Sequence, residues 1–166
     1  MNNISTDYKI REIAFKDNAD LKELIRYNLK SHGLDIPGTV YFDSVLDNLC
    51  EFYSGSENKG YYVLVDSEDK VVGGIGFEEF LAFDSCAELQ KLYLADSVKG
   101  KGIGYTLIKY VEDKMMEKGF KASYLETHHN LEAAIHIYKK SGYRLIERPQ
   151  SVAHGAMDHF FYKELV

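Results

Sequence analysis

The chain has 166 residues, 45% of them apolar, which is enough for one well-filled core and short for two domains. No apolar run of signal-peptide length opens it, and no segment approaches the roughly 20 apolar residues that span a membrane, so a soluble cytoplasmic chain with no membrane partner is expected. A formal net charge of −6 argues against nucleic acid as a partner, and Cys50 and Cys86 lack metal or redox spacing and give no disulfide framework.

In chain order, YKIREIAF (8–15) reads as a strand, and Asp17 is placed to cap a helix whose apolar positions Leu21, Leu24, Ile25 and Leu29 follow the helical period. Gly33, Pro37 and Gly38 then break the chain, and residues 41–53 suggest a second helix carrying Val45, Leu46, Leu49 and Phe52. Residues 60–80 read as a hairpin closed by the polar turn Asp66 to Asp69, and CAELQKLYL (86–94) as a third antiparallel strand. Gly73, Gly74 and Gly76 within that hairpin suggest a bulge or a close backbone approach, and packing alone would also account for them.

The pattern changes after Leu94. Ile103, Leu107, Ile108, Val111 and Met115 recur at helical spacing until Gly119, and KASYLET (121–127) follows as a strand, a strand, helix, strand order that favours a parallel crossover. Leu131, Ala134, Ile135 and Tyr138 share a face of a further helix, and two strands, 143–148 and 159–165, close the chain. The expected architecture is an α/β fold of α+β type in one domain spanning 1–166. Its mixed sheet has about six or seven strands, antiparallel in the N-terminal half with a parallel central pair, flanked by about four helices.

Charge is unevenly spread. Between Asp35 and Glu88 twelve acids stand against Lys59 and Lys70, whereas eleven bases stand against seven acids from Lys91 to Arg148. That asymmetry suggests one cationic and one anionic partner, although a solvated acidic face would produce the same run.

The stretch Lys99-Gly100-Lys101-Gly102-Ile103-Gly104-Tyr105 is the strongest local signal. Glycines free the backbone N–H groups to turn outward, and a helix N-terminus adds unsatisfied donors and a positive dipole end, a combination that holds phosphate. A P-loop is disfavoured, since no Gly-Lys-Ser/Thr follows. A dinucleotide-dependent oxidoreductase ranks lower. Glu126 lies where its ribose-binding acid would be, but the third glycine comes one place early and Tyr105 holds its position.

These residues resemble the GCN5-related N-acetyltransferases. Lys99 to Gly104 is similar to that family's Arg/Gln-x-x-Gly-x-Gly/Ala pyrophosphate loop, with Lys in place of Arg or Gln; AELQKLYL (87–94) is similar to its fourth strand and residues 130–148 to its last helix and following strand. The resemblance implies acetyl-CoA as co-substrate, an amine as acceptor, no metal, and a bulge that splays the fourth strand from the fifth. It assigns Leu92, Tyr93 and Leu94 to the pantetheine arm, Lys99, Gly100, Lys101, Gly102, Ile103, Gly104 and Tyr105 to the pyrophosphate, and Asn130 to the neighbourhood of the coenzyme.

An ammonium must lose a proton before it attacks a thioester, and the departing thiolate must gain one. Tyr138 resembles the family's general acid, although its helical stripe also suits a core residue. Glu88 is the base candidate; Glu78 and Glu79 are rivals, of which strand alternation lets only one face the site. A non-catalytic acetyl-CoA-binding module stays open beside the enzyme. The acidic run suggests a cationic small-molecule amine or a protein lysine as acceptor, and edge strands with exposed tyrosines admit a homodimer. His128 and His129 have no third ligand at metal spacing.

Overall fold

The computed structural model describes residues 2–5 and 7–165. One mixed sheet runs β1 (Asn2–Ser5), β2 (Tyr8–Glu12), β3 (Lys59–Asp66), β4 (Val71–Glu79), β5 (Cys86–Leu94), β6 (Ala122–Thr127), β8 (His159–Glu164) and β7 (Arg144–Ile146) in spatial order. Every pair is antiparallel except β5 with β6, where Cys86, Ala87 and Glu88 face Ala122, Ser123 and Tyr124 in parallel. The helices are α1 (Asn18–Ser31), α2 (Leu49–Tyr53), α3 (Ile103–Glu117) and α4 (Glu132–Lys140). The architecture is the one expected, with β1 as an added edge strand that no apolar alternation announces.

Both faces of the sheet are covered, which explains the unbroken apolar run in β3. Its Tyr62 and Leu64 pack with Leu107, Ile108 and Val111 of α3 on one side; its Tyr61, Val63 and Val65 pack with Leu21, Ile25 and Leu29 of α1 on the other. The α3 side also holds a largely buried ion pair, Lys163 Nζ to Glu112 at 2.9 Å.

Two local expectations change. Asp17 precedes α1 but makes no side-chain cap; its carboxylate accepts both Arg11 Nη groups, at 2.8 and 3.0 Å, and the Ala14 N–H at 2.7 Å. A bidentate guanidinium outcompetes a single capping N–H. The second helix is broken into the 3₁₀ turns Val40–Phe42 and Ser44–Asp47 and the short α2, because Thr39 and Asp43 each take up a backbone N–H two residues ahead and restart the chain.

The glycines of β4 do not interrupt it. A Cβ on Gly74 would lie 2.5 Å from the Tyr61 hydroxyl, and one on Gly76 2.5 Å from the Tyr61 ring. The irregularity falls on the partner strand. Between the pairs Gly74 with Tyr93 and Gly76 with Gln90, β5 carries one residue more than β4, and Lys91 there adopts φ 51°. Beyond Glu88, β5 has no pairing with β6, so the sheet opens at its centre.

Candidate active site

That opening leads into a cavity of about 330 Å³. One wall is β5 itself, from Glu88 to Leu94; α4 contributes Ala134, Ile137 and Tyr138, α1 contributes Asn28 and Leu29, and β6 contributes Glu126 and Thr127. Because β5 lacks a strand partner on this side, its backbone groups are free to pair with an extended ligand carrying amides.

At one end stands the glycine loop. Gly100 and Gly102 adopt φ 76° and 75°, the left-handed region that favours glycine, and no atom lies within 4 Å of where a Cβ would be on either. Their requirement is therefore conformational. Gly104 differs: a Cβ there would lie 3.1 Å from Ile137 Cδ1, so this glycine lets the first turn of α3 approach α4. The first N–H groups of the 15-residue α3 have no preceding turn to bond, and a helix N-terminus of this kind attracts anions.

The residues assigned to the coenzyme do not all meet the cavity. Leu92, Tyr93, Leu94, Lys99, Gly100 and Gly104 line it. The Lys101 ammonium lies 5.7 Å from the centre of the Tyr8 ring, Ile103 is a core residue, and Gly102 and Tyr105, at the start of α3 and in its first turn, stand outside the lining. Lys99 is paired with Asp96 at 2.9 Å; both are well exposed, and such a pair is weak enough to yield to a phosphate. Asn130 stands outside the lining, its amide donating to the His32 carbonyl at 2.9 Å, so it ties the end of α1 to the loop before α4.

Both residues singled out for proton transfer line the cavity. Tyr138 is buried against Phe161 and Tyr143, yet its hydroxyl makes no hydrogen bond among the described residues. Burial raises its pKa, keeping the phenol protonated. Glu88 is 9% exposed, and burial, reinforced by the charge of Glu126, pushes its carboxyl up to about 7. Of the rivals, Glu78 stands opposite Glu88 on β4 and accepts from the Gln90 amide at 3.4 Å, whereas Glu79 faces solvent.

Sequence reasoning missed the polar cluster around Glu88. His154, in the irregular segment before β8, reaches Asp43 Oδ2 through Nε2 at 3.3 Å and Glu126 Oε1 through Nδ1 at 3.4 Å. Glu126, with Asp43, raises its pKa against the effect of burial. The Lys91 ammonium donates to the Tyr53 hydroxyl at 3.2 Å, and burial lowers its pKa. No periodicity or motif marks Asp43, Tyr53 or His154, and Glu126 was noted only as a ribose-binding acid of the lower-ranked dinucleotide reading. His128 and His129, left without a third ligand by spacing, meet Asp158 at the surface. Their rings stack, one ligand atom of each of the three residues lies within 4.8 Å of the others, and His128 Nδ1 accepts the Asn130 N–H at 3.0 Å, so the third group that sequence spacing did not offer comes from farther along the chain.

A central sheet opened by a bulge, with a glycine-rich helix N-terminus at one end of the gap and a buried tyrosine and glutamate in its lining, gives room for an extended acyl-CoA. The chain matches the acetyltransferase (GNAT) family over residues 26–143 and belongs to it. It is 34% identical over 150 residues, 89% of each chain, to an uncharacterized N-acetyltransferase, YjgM, of Escherichia coli strain K12. Its fold is similar to that of a GNAT-family acetyltransferase from Staphylococcus aureus Mu50, with a TM-score of 0.83 and 20% identity over 96% of this chain and 99% of that one. It is also similar to the spermidine N-acetyltransferase of Vibrio cholerae in complex with CoA and spermine, with a TM-score of 0.70 and 20% identity over 97% of both chains. Among the described residues, no helix is long and apolar enough to cross a membrane.

Proposed function

We propose that this protein transfers the acetyl group of acetyl-CoA directly to a primary amine bound beside it in a ternary complex. The observation that carries the proposal is the continuity of one cavity from Lys99 and Gly100, past Leu94, Tyr93 and Leu92, to Glu88 and Tyr138. The pyrophosphate would sit on the N–H groups from Gly100 to Tyr105, and the pantetheine would run along the unpaired edge of β5. The acetyl thioester would then come to rest between Tyr138 and Glu88.

The acceptor enters as an ammonium, since ordinary amines hold their proton at neutral pH. Glu88, with a pKa near neutrality, takes that proton; the amine lone pair attacks the thioester carbonyl, the C–S bond breaks, and the Tyr138 phenol protonates the departing thiolate. A cationic small-molecule acceptor accords with the spermine seen in the V. cholerae relative. A reducing cytoplasmic setting suits the free thiols of Cys50 and Cys86.

Thermal denaturation with acetyl-CoA, CoA and NADH is the direct test. A ligand at about 100 times its Kd adds roughly 2.7 kcal/mol to the folded state, which raises the melting temperature measurably. A rise with acetyl-CoA and CoA, followed by thiol release when amines are supplied, is expected. No rise with acetyl-CoA, or a rise with NADH alone, would defeat the reading.

A further inference from the structure

Lys91 has no part in the proton transfers, yet it occupies the most unusual backbone position in the cavity wall. It is the extra residue of β5 at the bulge, in a left-handed conformation that is strained for a side-chain-bearing residue. Regular alternation would send Gln90 and Lys91 to opposite faces of the sheet; at the bulge both side chains instead meet the Tyr53 hydroxyl on one face, and Lys91 joins Glu88 in the cavity lining.

The Lys91 ammonium has three donors and, among the described residues, one hydrogen-bond acceptor. It donates to the Tyr53 hydroxyl, which in turn donates to Gln90 Oε1 at 2.7 Å, and no carboxylate lies within 4 Å of it among the described residues. The charged groups that face it are Glu88 from its own strand, Glu78 from β4, Asp43 from the loop before α2, and His154 from the segment before β8. Each acid is otherwise engaged. Asp43 accepts the Val45 N–H and His154, Glu78 accepts the Gln90 amide, and Glu88 is drawn toward its neutral form. A largely desolvated ammonium without an anion at hydrogen-bond distance is unfavourable, and a ligand that supplies one relieves it.

The wall's charges agree. Of the twelve acids between Asp35 and Glu88, Glu88 alone lines the cavity, and the other lining acid, Glu126, is met by His154. Apart from Glu88, the acidic run therefore lies outside the cavity lining.

We propose that the acceptor is a dipolar amine, an amino acid or related aminocarboxylate, whose carboxylate pairs with Lys91 while its amino group faces Glu88. This rests on the transferase reading above. It replaces a polyamine with a molecule of one positive and one negative group.

Thiol release from acetyl-CoA is measured with the standard α-amino acids, β-alanine, each compound's carboxamide, and spermidine. The best free acid is expected to exceed its carboxamide at least about tenfold in kcat/KM, the size of one charge-assisted hydrogen bond, and Lys91→Met to collapse that ratio toward one. Lys91→Gln gives the same comparison if the methionine variant does not fold. The proposal is overturned if carboxamides or spermidine equal the free acids, or if the Lys91 variants slow acid and carboxamide alike. Silence of every aminocarboxylate, in a protein whose melting temperature still rises with acetyl-CoA, overturns this inference and leaves the transferase reading standing; absence of that rise defeats the transferase reading itself.

Discussion

The Tyr61 hydroxyl donates to the Lys91 carbonyl at 2.7 Å, and its ring crosses β4 through the space left by Gly74 and Gly76. One tyrosine on β3 thus reaches over a neighbouring strand to hold the bulge that opens the sheet. Gly74→Ala places a methyl 2.5 Å from that hydroxyl and 2.6 Å from the ring, so we expect it to destabilise the fold by about 1–3 kcal/mol and to weaken acetyl-CoA binding. Tyr61→Phe keeps the packing and loses about 0.5–1.5 kcal/mol with the hydrogen bond. Denaturant unfolding and acetyl-CoA titration of both variants check this; an unchanged coenzyme affinity in Gly74→Ala would separate the bulge from the site.

Glu88 must be ionised to accept a proton, so kcat/KM should rise with pH through about 7 and then level. Glu88→Gln should lower turnover by about 10²–10⁴-fold and remove that limb of the profile. Stability moves in the opposite direction. Burial raises the folded pKa above the ordinary 4.5, so the stability linked to Glu88 is full below 4.5 and is lost as pH climbs through about 7. The glutamine variant should therefore melt higher than the parent at pH 8, with the gap closing toward pH 5.

Tyr138→Phe tests the phenol without emptying the core. The ring keeps its contacts with Phe161 and Tyr143, and the hydroxyl has no protein partner to lose, so the melting temperature should barely move. Turnover should fall by about 10²-fold, chiefly in kcat, because the thiolate loses its proton donor. A variant with full activity would return Tyr138 to a packing role.

His154 stands between Asp43 and Glu126 and its charge helps to keep Glu88 ionised. His154→Gln retains hydrogen-bonding capacity and removes the charge, so the ascending limb of the pH profile should shift to higher pH. Glu126 and Asp43 raise the pKa of His154 above 6.5, so its stabilising contribution is full below 6.5 and is lost as pH rises through the higher folded value. The melting temperatures of variant and parent should accordingly diverge below pH 6.5 and converge in alkali. A pH–rate profile that does not shift would show that His154 serves the fold alone.

The order of strands and helices and the glycine loop were readable because each rests on local patterning: period two in the strands, period 3.6 in α1, α3 and α4, and glycine where the backbone turns left-handed before α3. Glu88 and Tyr138 were named because their strand and helix resemble those of the family; the periodicity alone suited Tyr138 to the core. Local rules failed at Asp17 and in residues 40–53, where side chains compete for backbone groups over short distances.

The amino-acid order by itself determined the strands from β2 onward, helices α1, α3 and α4 and the glycine loop, since all of these follow from neighbours in sequence. Only the tertiary structure decided which charges meet the cavity. Asp43 and His154 are 111 residues apart, Lys91 and Tyr53 38, and the protonation of Glu88 depends on Glu126 of another strand. Desolvation and Coulomb interactions act through space, so the charge seen by an acceptor is set by burial and packing and not by the run of acids along the chain.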